Sequence, residues 1–344
     1  MKKIYSIALL ALVFILSYPI ASTAQDDLDQ FLQESVEDGE KLIGGYVAPA
    51  IKAFSLGLNQ GWYNTAKPHK VAGVDLTMSV SLMKVPSSEQ LFDVNALGLT
   101  SVTLVNESGN PETDGNIPTI LGPDTPPTFS PSATVNDGFV NQSDDFQGPG
   151  GLELGSDVKL LKNKMPAAMV QLGFGLPKGT DVKLRLVPKV DVGDGKFNMF
   201  GIGVMHDVKQ YIPGIKNLPF DLSGFVGYTK MKLDVPFDGD QRGVFEASST
   251  TIQGVISKKV AVLTFYGGLG YNIAKSKLAM LGSYDIDNDS NTPAIVDPVN
   301  LDFAASGFRT TVGMRLKLAV FTFHGDYTIQ KYNALTVGFG ISVR

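Results

Sequence analysis

The closing stretch Leu335-Thr-Val-Gly-Phe-Gly-Ile-Ser-Val343 puts Leu335, Val337, Phe339, Ile341 and Val343 on one face of an extended chain. Thr336, Gly338, Gly340 and Ser342 fall on the other. Side chains of a strand alternate between faces, so period 2 over nine residues predicts a strand with one apolar and one small or polar side. The pattern recurs upstream. Phe321, Phe323, Tyr327 and Ile329 oppose Thr322, His324, Asp326 and Thr328, and Phe308, Val312, Met314 and Leu316 oppose Arg309, Thr311, Gly313 and Arg315. Phe200, Ile202 and Val204 alternate with Gly201 and Gly203; Val182, Leu184 and Leu186 alternate with Lys183, Arg185 and Val187. Ala168 to Leu176 and Val74 to Leu82 repeat it, the latter with Asp75 on the polar row.

A soluble β-sandwich also alternates, and three features favour lipid. The apolar rows run about 9 to 11 residues with hardly a charge, the length a tilted strand needs to cross a bilayer. The opposite rows hold Gly, Ser, Thr and isolated charges, as a lumen does, where a solvated face would carry more Lys and Glu. Connections alternate between short (177–180, 257–260, 316–319) and long (234–243, 272–300), like the two ends of an outer-membrane barrel. Tyr211 to Pro219 falls by parity at the short-turn end, as a helical turn.

The expected fold class is therefore an all-β membrane barrel, residues 71–344. Ten strands are well supported. Between Lys84 and Lys159 the chain has no Lys or Arg but 11 acidic residues among many Pro, Gly and Ser. This external insertion, about 86–165, is too long for one hairpin loop, so an added strand pair with Leu97 to Val105 makes the expected count 12, with 10 or 14 as alternatives.

Lys2 and Lys3, the apolar run from Ile4 to about Leu16 and the small residues Ala21-Ser-Thr-Ala24 have the order of a secretory signal peptide over residues 1–24. Residues 25–70 are expected to be a plug. Leu28, Phe31, Leu32, Val36, Leu42 and Ile43 share a helical face. The Gly- and Pro-broken segment from Gly44 to Asn64 is rich in apolar groups, including Tyr46, Phe54 and Trp62, and must be buried; in a barrel that place is the lumen.

The 344-residue chain is 43% hydrophobic and 18% charged, with 37 Gly, 20 Phe and 11 Tyr against one Trp, a mix suited to glycine-rich strands and aromatic girdles. No cysteine is present, which excludes a lipid anchor on Cys, disulfides and thiolate chemistry. A formal net charge of −5 disfavours nucleic acid as a partner.

Candidate site residues lie on the inward rows. Lys183, Arg185, Arg309 and Arg315 form a basic lumen set, open to a carboxylate or phosphate headgroup or to the acidic plug residues Asp29, Glu34, Glu37, Asp38 and Glu40; the plug pairing is preferred. His324 beside Asp326 could serve as a general base, but a lumen network fixing strand register is the favoured reading. Asp285, Asp287 and Asp289 have the alternating oxygens that calcium takes, yet the sixth position is Ser290 and the twelfth Val296, so a solvated acidic loop is preferred over a metal site. No P-loop, Rossmann, HExxH or GxSxG motif occurs, and no cofactor is expected.

Leu42-Ile-Gly-Gly-Tyr-Val-Ala-Pro-Ala50, Gly61-Trp-Tyr-Asn-Thr-Ala-Lys-Pro-His69 and Gly201-Ile-Gly-Val-Met-His-Asp-Val-Lys-Gln-Tyr-Ile-Pro213 resemble an uncharacterised family of Bacteroidota outer-membrane barrels. The architecture is similar to the outer-membrane transporters of long-chain fatty acids and hydrophobic compounds, whose plug leads straight into the first strand. Their Asn-Pro-Ala plug signature is replaced here by Asn64-Thr-Ala-Lys-Pro68. The resemblance implies a channel or transporter in the outer membrane of a Gram-negative-type bacterium, carrying a small hydrophobic compound, with outer-membrane lipid and the barrel-assembly machinery as partners. A structural or adhesive surface barrel acting through the acidic insertion is the alternative, and a lipid-modifying enzyme the third.

Overall fold

A single closed antiparallel sheet accounts for all the long alternating segments. The computed structural model describes residues 35–132, 134–136, 139–141, 144–152, 162–237, 239–284 and 294–343. The expected signal peptide, the first turns of the expected helix and Asp285, Asp287 and Asp289 lie outside them. The barrel strands are β1 Val74–Lys84, β2 Lys164–Leu176, β3 Thr180–Val192, β4 Gly195–Asp207, β5 Asp221–Pro236, β6 Arg242–Val260, β7 Leu263–Leu281, β8 Val299–Leu318, β9 Phe321–Ile329 and β10 Ala334–Val343. Each pairs with its sequence neighbours, and β1 pairs with β10 from Val74↔Val343 to Met83↔Ala334, closing the ring. In β3 the register shifts between Val187 and Val190, where Pro188 lacks a ladder donor.

The count is ten, where twelve were expected. The strand Val102–Val105 exists but pairs with Thr128–Pro131 in a small sheet separate from the barrel. Four residues cannot cross a bilayer. Its inward Val102 and Leu104 join Leu42, Ile43, Ile117 and Phe129 in a cluster over one end of the N-terminal helix. The 272–300 connection is also shorter than expected. β7 continues to Leu281 and β8 starts at Val299. Charged outward residues Lys275, Lys277 and Asp302 made these extensions read as loop, whereas their inward Ala274, Ser276 and Ala305 stay small and buried. The expected turn at the short end, 211–219, opens with the single 3₁₀ turn Lys209–Tyr211.

The exterior is apolar and the interior largely polar, the reverse of a soluble protein. Phe308, Leu269 and Leu186 are 83%, 66% and 66% exposed, while Thr229, Thr251, Thr328 and Thr336 are fully buried. Along β7 the outward residues Leu263, Phe265, Leu269, Tyr271 and Ile273 span about 34 Å of strand, or about 25 Å along the axis of a barrel tilted by ~40°. That matches the apolar band of a transmembrane barrel.

Helix α1, Val36–Gly57, precedes the barrel. It was expected to stop near Ile43, yet it runs through Gly44, Gly45 and Pro49. Helix propensities describe exposed helices, and tertiary contacts override them here. The bare Gly45 admits the Phe92 ring, and Gly44 admits Leu301. Pro49 cannot donate to the Gly45 carbonyl four residues back, and, one residue on, the Tyr46 carbonyl takes the backbone N–H of Ile120 at 3.0 Å.

Ala261-Val262 and Ala319-Val320 form matching two-residue turns at the short end, with φ of +53° and +52° at the alanines. This left-handed region strains a residue carrying Cβ by about 1 kcal/mol or more. Replacing Ala319 with Gly is expected to stabilise the barrel by about 1 kcal/mol. The check is the temperature at which the fast-migrating unheated form converts to the slow form on a denaturing gel, which should rise in Ala319→Gly. A wild-type chain without two such forms would contradict the closed barrel itself.

Candidate functional site: the lumen and the segment that crosses it

From Ser35 to Gly73 the chain passes down the inside of the barrel. Its partners lie on strands all the way round: Thr250 and Asn272 for Asn59, Arg185 for Leu58, Thr328 and Arg309 for Gln60, Ser223 for Ala66 and Ser342 for His69. A segment touching opposite walls of a closed ring lies within it. The N-terminus of α1 sits at the loop end, its C-terminus in mid-lumen, and residues 70–73 lead into β1 at the turn end.

At the loop end the helix is roofed by the insertion. Asp38 accepts the backbone N–H groups of Thr100 (2.7 Å) and Ser101 (2.6 Å), and Tyr46 donates its hydroxyl to the Gly150 carbonyl at 2.9 Å. Glu40 accepts the N–H of Asn300, the first turn of β8 holding the helix from the side. Tyr332, between β9 and β10, donates to Glu89 at the insertion's root. Below the roof the lumen is apolar: Met83, Met169, Phe197, Met199, Met231 and a ring of alanines pack round Ala50, Ala53 and Leu56. Phe54 meets Phe245 with ring centroids 5.9 Å apart. Parity alone predicted small or polar lumen rows, and in this outer half they are apolar.

The helix ends on two buried cations. Arg185 donates to the carbonyls of Leu58 (2.8 Å) and Gln60 (2.6 Å), and Arg309 to the Asn59 carbonyl and the Gln60 side-chain oxygen, both 2.9 Å. No carboxylate lies within ion-pair reach of either guanidinium among the described residues. Leaving a charge buried without a partner costs several kcal/mol, and here the negative end of the helix dipole and the carbonyls of the turn that follows it take the partner's place. Of the acidic residues expected to pair with these cations, Glu37, Asp38 and Glu40 do not, and Asp29 and Glu34 lie outside the described residues. Glu37 and Asp38 sit one helix length away and bind Lys41 and the insertion.

Trp62 lies beneath this clamp. The Arg185 guanidinium stacks 3.6 Å from its ring centre, and Phe225 flanks it at 5.5 Å. Gly203 and Gly227 leave the room: a Cβ at either would come within 3.0 Å of the indole. Tyr63 completes the aromatic layer, donating to Gln253 at 2.6 Å.

At the turn end His69 pins the segment. Its backbone N–H and Nδ1 both donate to Asp181, at 2.7 and 2.8 Å, while Nε2 is 3.4 Å from the Ser342 hydroxyl and 3.7 Å from Asp75. The Asp181–His69–Ser342 line has the order of a nucleophile relay. There is no room for a substrate, because a Cβ at Gly173 or Gly175 would already collide with Asp75 or with the backbone and side chain of residues 69–70. The line is a clasp.

Of the remaining sequence candidates, Asp75 accepts Thr77 and Arg315 donates to Asn64 at 3.0 Å. Lys183 is buried on the same inward row as Asp181 and Arg185. His324 and Asp326 are also inward and buried but are not bonded to each other as a general base would be: Asp326 accepts the Tyr266 hydroxyl at 2.8 Å, and neither His324 nitrogen has a hydrogen-bond partner among the described residues. Sequence reasoning did not select Asn59, Gln60, His69 or Asp181. Asp181 was within reach, since it shares the row of Lys183 and Arg185; Asn59 and Gln60 carry no periodic signal.

The chain aligns with several solved barrels. They include the attachment invasion locus protein Ail of Yersinia pestis (8% identity, 79% of this chain and 98% of that one, TM-score 0.26). Others are the translocator domain of the autotransporter NalP from Neisseria meningitidis (10%, 86% and 93%, TM-score 0.28) and OmpT, an outer membrane protein of Vibrio cholerae (11%, 79% and 100%, TM-score 0.17). No curated protein matches it. The chain belongs to the family of unknown function DUF6588, whose model matches residues 1–343.

Proposed function

We propose that this protein is an outer-membrane β-barrel channel of a Gram-negative-type bacterium, exported by a cleavable leader and closed by its own N-terminal segment. It passes a small hydrophobic compound when the segment gives way. The observation that carries this reading is the wall-to-wall filling of the lumen by residues 36–69, held by Arg185, Arg309 and His69. An apolar belt of bilayer height supports the location. The hydrophobic cargo is supported by the outer half of the lumen, where unbranched, adaptable methionines surround the helix and can repack around a guest.

Two experiments test the closure. A Cβ at Gly57 would lie 3.0 Å from that of Ala167, close enough for a disulfide after a small adjustment, in a chain with no other cysteine. Gly57→Cys with Ala167→Cys, oxidised, is expected to abolish channel openings in planar bilayers, and a reductant to restore them; openings indifferent to the bond would rule out movement of α1. Replacing both arginines, Arg185→Met and Arg309→Met, strips the helix end of its charge-assisted bonds, worth about 1.5–3 kcal/mol each. Open probability should rise severalfold while heat-modifiable migration persists. A still-silent, folded double variant would count against the clamp as the lock.

A second reading is favoured by one observation: Glu107, Asp114, Asp124, Asp144 and Asp145 are exposed on an insertion that lacks any basic residue from 85 to 158. Such a surface suits adhesion to a cationic partner. Deleting residues 106–114 would then abolish surface binding and leave conductance intact.

A further inference from the structure

The tall wall formed by β5 to β8 carries a charge pattern on its outer face that neither closure nor conduction uses. Rows in register cross four strands. The apolar belt ends with Tyr228 on β5 and Ile273 on β7, and two residues further toward the loop end the row reads Lys230, Ser248, Lys275, Ala304. The next row reads Lys232, Glu246, Lys277, Asp302. Two residues of strand are about 7 Å, so these rows stand within roughly 5–10 Å of the belt's edge after tilt, the depth of a headgroup layer.

Four lysines meet two carboxylates there, an excess of two positive charges on a chain whose net charge is −5. Glu246 engages Lys232 at 2.9 Å and Lys230 at 3.9 Å. Lys275 and Lys277 form no ion pair among the described residues. Between them lies a cleft of about 490 Å³ lined by Lys230, Lys275, Lys277 and Ser248, by the carboxylates Glu246 and Asp302, and by Tyr228, so that three lysines face two carboxylates within it.

We propose that this cleft binds the phosphorylated headgroup of a glycolipid in the outer leaflet, its acyl chains lying on the apolar belt below. Charge complementarity selects an anion, and the position one step beyond the belt selects a lipid anion over a free one. Ser248, between Lys230 and Lys275, supplies a neutral donor for a phosphate oxygen. Lys230 and Lys275 sit on strands two ladder steps apart, about 10 Å, a span that suits two phosphates on one disaccharide better than a single ion. The inference rests on the outer-membrane placement and is independent of whether the lumen opens.

The test is native mass spectrometry of the detergent-solubilised full chain with a diphosphorylated acyl-glucosamine disaccharide, with the same lipid after enzymatic dephosphorylation, and with inorganic phosphate alone. Wild type should retain the phosphorylated lipid about tenfold more strongly than the dephosphorylated one. Lys230→Ala with Lys275→Ala should erase that preference while keeping heat-modifiable migration, and Lys258→Ala, at the opposite end of the same wall, should leave it unchanged. Equal retention of both lipids by wild type, an unaltered preference in the double variant, or displacement of the lipid by equimolar inorganic phosphate would each overturn the proposal. Failure with a heat-modifiable, membrane-fractionating wild type removes the lipid site alone; absence from the membrane fraction would remove the location as well.

Discussion

Two guanidinium groups buried without a carboxylate among the described residues are the constraint from which the arrangement of the lumen follows. Arg185 on β3 and Arg309 on β8 come from separate walls and converge on three consecutive residues, 58 to 60. These residues form the turn that directly follows the last helical residue, Gly57, and their acceptors lie close together at the helix's C-terminal end. The helix must therefore end at this height, and with its C-terminus inward, so its acidic N-terminus points to the loop end. The other contacts follow in order along the segment: Trp62 under Arg185, Tyr63 on Gln253, Ala66 on Ser223, His69 on Asp181.

The same constraint divides the lumen into two media. Outward of the clamp, Met83, Met169, Met199 and Met231 pack on a helix whose surface is small or apolar. Inward of it, hydroxyls, amides, histidines and carboxylates line the wall and bind the non-helical part of the segment. A regular helix satisfies its own backbone, so it tolerates an apolar sleeve. The irregular stretch from Leu58 to Gly73 cannot, and it lies where wall side chains supply donors and acceptors.

How much of this was legible in the sequence depended on whether a residue's neighbour was water, lipid or another part of the chain. The rows of β1, β9 and β10 were read correctly because lipid on one side and lumen on the other impose a strict period of 2. The inward placement of Arg185, Arg309, His324 and Asp326 followed by parity. What each inward side chain meets did not, because a carbonyl partner has no residue type: Arg309 could be assigned to the lumen but not to Asn59. The extension of β7 was missed because Lys275 and Lys277 leave the lipid and resemble loop residues, although Ala274 and Ser276 keep the inward row. The path of α1 through Gly44, Gly45 and Pro49 was hidden because those residues break helices in water, whereas here Phe92 and Leu301 occupy the space that the missing side chains leave. The surplus strand pair came from the length of the insertion, too great for one hairpin loop, whereas its Val102 and Leu104 pack on Leu42 and Ile43 instead of crossing the bilayer.

The two media also bear on where a closed barrel of this kind can yield. The insertion covers the loop end of α1 through the Asp38 carboxylate and an apolar cluster, and residues 70–73 tie the other end covalently to β1. Withdrawal of the whole segment would break the roof, the clamp and the clasp together. Contacts between methionines and alanines change gradually as side chains repack. The bonds of Arg185 and Arg309 do not, since each guanidinium displaced from its carbonyls is left charged in a dry interior. Resistance to opening is therefore concentrated at one level of the lumen, between Leu58 and Trp62.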